Sequence, residues 1–74
     1  MSDRVYKKIR LVGVSRESYE KAIQSAMAEA GKTLHGLAWF EVIEQRGAVV
    51  EKGVIEFQVT IEVGFKVDPA EQRQ

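Results

Sequence analysis

Val54-Ile55-Glu56-Phe57-Gln58-Val59-Thr60-Ile61-Glu62-Val63-Gly64-Phe65-Lys66-Val67 alternates without a break. Ile55, Phe57, Val59, Ile61, Val63, Phe65 and Val67 fall on one side; Glu56, Gln58, Thr60, Glu62, Gly64 and Lys66 fall on the other. Successive side chains of an extended chain point to opposite faces, so this period of two predicts a strand with one buried and one polar face. Pro69 ends the strand, and residues 68–74 read as a frayed tail. Working back from it, Glu51-Lys52-Gly53 reads as the turn of an antiparallel hairpin, and Leu37 to about Val50 as its first arm. Residues 5–14 read as another strand, with Val5, Ile9 and Leu11 on one face interrupted by Lys7.

Between these extended stretches the spacing changes. From Arg16 to about Leu34, the residues Tyr19, Ala22, Ile23, Ala26, Met27, Ala30 and Leu34 recur at intervals of three and four, which predicts an amphipathic helix. Its alanines allow close approach to whatever it packs on. Ser15 is the predicted N-cap, Glu17 falls in the first turn where the helix dipole favours negative charge, and Gly36 is the predicted stop. The order is β-α-β-β. This is an α+β fold, a three-stranded antiparallel sheet wrapped on one helix, with the last strand placed centrally by the crossover rule. A single domain is expected over 1–74, with an ordered core over about 4–67.

Composition narrows the classes. A chain of 74 residues buries only ~60% of the surface its unfolded form exposes, so a monomer is marginal. Small domains recover stability from disulfides, metals or oligomers. There is no cysteine and one histidine, His35, so thiolate sites and a multi-histidine metal site within one chain are excluded, and oligomerisation remains. Eleven basic residues balance eleven acidic ones, which gives no field toward nucleic acid or an anionic membrane. No apolar run approaches a membrane span and Met1-Ser2-Asp3-Arg4 opens no signal segment, so a soluble cytoplasmic protein is expected.

One helix covers one face of a sheet. In the second strand, Phe40 and Val42 are expected to join the helix-facing core, which puts Trp39 on the outer face beside Glu41 and Ile43; Gln58 faces outward as well. A hairpin centred near residue 51 pairs Trp39 with Glu62 or Val63, and Gln58 with Ile43. Trp39 and Gln58 then lie about four residues apart, on the order of 13 Å, so a ligand using both is expected to be shared between subunits. An exposed tryptophan on a sheet needs a partner. On pattern alone that partner is either packing at a subunit interface or a flat ligand, and Gln58 alone reads as a solvated polar position.

Lys32-Thr33-Leu34-His35-Gly36-Leu37-Ala38-Trp39-Phe40-Glu41-Val42, followed by Glu56-Phe57-Gln58-Val59-Thr60-Ile61-Glu62-Val63-Gly64-Phe65-Lys66-Val67, resembles the dodecin family. Val5-Tyr6-Lys7-Lys8 and Leu11-Val12-Gly13-Val14-Ser15 resemble its opening strand and the approach to its helix. The likeness runs from about Val5 to Val67. It implies a β-α-β-β subunit in a hollow homododecamer. It also implies a flavin-storage or sequestering role without catalysis, with flavins bound in pairs at subunit contacts and stacked on Trp39, and coenzyme A as a further ligand in some members. It implies that Gln58 contacts the flavin ring, and that Arg46 and Lys66 lie near the ribityl or phosphate end, where a cation favours FMN over riboflavin. Two solvated surface charges are the alternative for Arg46 and Lys66. The chain departs from the family at His35 and Lys66, where arginine is frequent in relatives.

The chemistry of these residues suits that ligand. Indole stacks on flat rings for ~1–3 kcal/mol. A carboxamide offers one donor group and one acceptor to the pyrimidine edge of isoalloxazine. The competing readings are a structural oligomer, a carrier of another nucleotide-like ligand such as coenzyme A, and a flavoenzyme. The last is disfavoured because no acid–base pair falls near Trp39.

Overall fold

The computed structural model describes residues 3–67; the tail expected over 68–74 lies outside them. Strand β1 spans Tyr6–Ser15, helix α1 Tyr19–Thr33, strand β2 Leu37–Glu51 and strand β3 Val54–Lys66. Both neighbours of β3 run antiparallel to it and the sheet order is β1-β3-β2. The most regularly alternating segment of the sequence therefore takes the central place, where both of its edges are paired.

The helix begins later than its sequence suggests. Ser15 is still paired with Phe57 in the β1–β3 ladder, so its backbone is extended and it cannot open a helix. Its hydroxyl instead accepts from Glu17 N at 2.9 Å and Ser18 N at 3.5 Å, which turns the chain. Ser18 is the N-cap, its Oγ accepting from Lys21 N at 3.0 Å, and Glu20 rather than Glu17 supplies the negative charge of the first turn. At the other end, Leu34 N donates to Ala30 O at 2.9 Å. Gly36, at φ 72°, then turns the chain into β2, as its position in the sequence anticipated.

The core is narrow. Ala22, Ala26 and Ala30 of α1 lie on Val59, Ile61 and Val63 of β3, with Ile9, Leu11, Tyr19, Ile23, Met27 and Leu34 around them. Each fully buried valine or isoleucine contributes ~1.5–3 kcal/mol. Close approach depends on small residues on both sides. A Cβ at Gly13 would overlap the Ala22 carbonyl and sit 3.0 Å from Ala26 Cβ.

The helix packs on β1 and β3, and β2 is left without cover. None of its fifteen residues is buried. Phe40 and Val42 pair with Val63 and Ile61 and so point to the helix side, as anticipated. They do not join the core, however: they are 44% and 45% exposed. The reason is reach, because α1 sits over the β1–β3 seam. The outer part of the β2–β3 hairpin extends past the body. The radius of gyration is 15.3 Å, against about 11 Å for a compact domain of this length.

Replacing Gly13 by alanine is expected to lift α1 and lower stability by about 1–3 kcal/mol, the usual cost of overpacking. Gly31→Ala, in a helix with open space beside it, should raise stability by roughly 0.5–1 kcal/mol. Thermal unfolding of both variants checks the seating of the helix; equal midpoints would contradict it.

Candidate functional site

The even-numbered residues of β3 face away from α1 and carry the polar side of the sheet. Beside them β1 places Tyr6, Lys8, Arg10, Val12 and Val14, and β2 places Trp39, Glu41, Glu44 and Arg46. Trp39 and Arg46 are seven residues apart, so strict alternation would put them on opposite faces. A register shift between Val42 and Glu44 takes up one extra residue, Ile43, and brings both to the same face.

At one end of this face Trp39 pairs with Gly64. Its indole lies directly over the glycine backbone. A Cβ on Gly64 would stand 2.7 Å from Trp39 Cη2 and closer still to Cε2 and Cζ2. Tyr6 meets the indole edge-on, with centroids 5.2 Å apart and planes at 61°. The indole is 40% exposed. Lys66, paired with Tyr6, is an exposed cation at the same end. The result is a flat aromatic surface backed by glycine and steadied by a second ring.

At the other end Arg46 pairs with Gln58, and its Nε donates to Gln58 Oε1 at 2.7 Å. Gln58 Nε2 donates in turn to Glu56 Oε1 at 3.0 Å. Trp39 and Gln58 are thus brought to the same face but not together. Their β3 positions, Gly64 and Gln58, are six residues apart, about 20 Å at strand rise. The shorter separation expected from sequence placed the hairpin centre too early. The loop is Lys52-Gly53, with Glu51 paired to Val54, and three register shifts along β2 return only part of the difference.

A charge ladder lies next to the tryptophan. Lys8 Nζ contacts Glu41 Oε1 at 2.9 Å and Glu62 Oε1 at 3.1 Å, and Arg10 Nη2 contacts Glu62 Oε2 at 2.7 Å. Arg10 first, then Lys8, holds the Glu62 carboxyl below its ordinary value of 4.5 by hydrogen bonding. Hydrogen bonding to Glu41, then Glu62, raises the Lys8 ammonium above 10.5. Both carboxylates are engaged by cations. Among the described residues no group of acidic or histidine side chains could hold a metal ion.

Sequence reading singled out Trp39, Gln58, Arg46 and Lys66. It missed Tyr6, Gly64 and Glu56. A lone glycine inside an alternating strand signals a close approach, and Glu56 stands two residues before Gln58 on the same face, so both signals were present.

The Glu62 contribution to stability is present above pH 4.5 and is lost as pH falls through the lower value it has when folded. The Lys8 contribution is present below pH 10.5 and is lost as pH rises through its higher folded value. Carboxyl-carbon NMR titration should place Glu62 below 4.5, and Arg10→Gln should move it upward. An unmoved midpoint would disconnect Arg10 from Glu62.

Comparison with known proteins gives consistent results. A family model described as Dodecin matches residues 5–68. A dodecin of Thermus thermophilus is 57% identical over 65 residues, covering 88% of this chain and 94% of the relative. Calcium dodecin of Mycobacterium tuberculosis is 38% identical over 69 residues, covering 93% and 97%. Among solved structures, dodecin from Streptomyces davaonensis superposes with a TM-score of 0.83 at 40% identity, covering 90% of this chain and 98% of that one.

Proposed function

The chain belongs to the dodecin family of non-catalytic flavin-binding proteins, and on that premise we propose that it sequesters FMN or riboflavin by stacking the isoalloxazine on Trp39. The observation that carries this reading is the indole over Gly64, one side supported by backbone and the ring still partly exposed on a sheet face that none of the described elements covers. A large flat ligand gains stacking area there without displacing protein.

Gln58 meets the pyrimidine edge of the ring. Arg46 and Lys66 sit toward the ribityl or phosphate end, Arg46 with Nη groups that take no part in its bond to Gln58. Since Trp39 and Gln58 stand some six strand positions apart, a flavin that stacks on the indole takes its glutamine from a neighbouring subunit. The site therefore needs the assembly, a hollow homododecamer in the cytoplasm. Paired flavins lie between symmetry-related copies of Trp39. The uncovered apolar residues of β2 support association, with Leu37, Phe40, Val42, Ile43, Val49 and Val50 all exposed in the single chain.

Stacking on indole gives a photochemical role with no catalytic group. Excited flavin is a strong oxidant and indole an electron-rich donor. Contact returns the flavin to its ground state before it emits or reacts. Storage and photoprotection then share one residue.

Light scattering at micromolar concentration should give a mass near twelve times the 8.3 kDa subunit; a stable monomer would remove the shared site. Titrating flavin with apo-protein should quench its emission. Trp39→Ala should keep the assembly and weaken binding by about 1 kcal/mol or more, and Trp39→Phe should keep some stacking area and restore part of the emission. Long-lived fluorescence from flavin fully bound to the unsubstituted protein would exclude close stacking on Trp39.

A further inference from the structure

We infer that Glu56 is a positioning residue that fixes how Gln58 presents its amide to the flavin, an inference that rests on the flavin reading above. A glutamine amide can point either way, since its oxygen and nitrogen differ little in size. Here its neighbours decide. The Arg46 guanidinium has only donors and its Nε lies 2.7 Å from one amide atom, so that atom is the oxygen. The Glu56 carboxylate has only acceptors and lies 3.0 Å from the other, so that atom is the nitrogen. The two contacts come from different directions. Arg46 reaches across from β2, and Glu56 from two residues back on β3, on the same face.

The clamp leaves a defined remainder. Oε1 has two lone pairs and Nε2 two protons. One of each is used by Arg46 and Glu56, so one acceptor site and one donor remain. That pair matches the pyrimidine edge of a flavin, where a ring N–H lies beside a carbonyl. With the flavin in place the amide satisfies all four of its hydrogen-bonding positions. Arg46 alone does not secure this, because its long side chain is also the cation assigned to the phosphate end. Glu56 is on the same strand as Gln58, half-buried, and holds the nitrogen whether or not the guanidinium moves. Glu56 is therefore the part of the clamp that makes Gln58 a reader of the ring N–H rather than a freely turning polar group.

The test uses the full-length assembled protein and two neutral probes, riboflavin and N3-methylriboflavin, which lacks the ring N–H. The unsubstituted protein should prefer riboflavin. Glu56→Ala should weaken riboflavin by about 2- to 10-fold, the range for one hydrogen bond, and shrink its preference over the methylated probe. Glu56→Gln should retain most of both, because the new amide oxygen can accept from Gln58 Nε2. In a Gln58→Ala background, Glu56→Ala should change nothing further. NMR of the flavin-free protein should show one side-chain amide proton of Gln58 moving upfield in Glu56→Ala. An unchanged preference in Glu56→Ala, or an equal loss with and without Gln58, overturns the positioning role while leaving flavin binding intact. Failure of the unsubstituted assembly to bind riboflavin overturns the functional reading and this inference together.

Discussion

The contact between three alanines of α1 and the central strand sets what the rest of the molecule can be. Ala22, Ala26 and Ala30 let the helix lie close on Val59, Ile61 and Val63, and Gly13 lets it lie close on β1. A helix held this tightly over one seam cannot also reach the next strand. β2 is consequently paired on one edge only, with none of its residues buried. Hydrophobic burial within the chain stops at two strands out of three.

The bare strand also carries two residues of the proposed flavin site. Trp39 and Arg46 both stand on β2, and each engages a β3 residue that would otherwise face solvent. A monomer selected only for stability would cover such a surface or make it polar. Here the two ends of the proposed site lie apart on one face, and the apolar side chains of the same strand are exposed in the single chain. On the proposed reading, assembly and ligand binding draw on one structural feature, the strand that α1 does not reach.

Much of this was legible in the sequence. The unbroken alternation of 54–67 identified the central strand, and the alanine stripe identified the helix and its closeness. The outward positions of Trp39 and Gln58 followed from the same alternation. Three readings failed for local reasons. Ser15 resembled a cap but remained in a ladder with Phe57, and only the pairing reveals that. Phe40 and Val42 have core-type side chains on the correct face, but lateral reach is a property of packing and not of pattern. The register failed because the chain turns at Lys52-Gly53, later than residue 51, and the three shifts along β2, which leave little trace in composition, return only part of that difference.

Those irregularities carry a further consequence for how such a chain can vary over time. Substitutions along β2 change one side chain each, but a change in its length acts on everything between the altered point and the turn. Ile43 occupies the place where the strand takes up one extra residue. Flattening that bulge at unchanged length would restore plain alternation and turn Arg46 to the opposite side from Trp39, with every individual residue still present, whereas deleting Ile43 would leave the two six residues apart and on one side. The bulge at Ile43 is thus information in its own right: which face each of residues 39–46 takes depends on where the strand absorbs its extra residue as much as on which amino acids it carries.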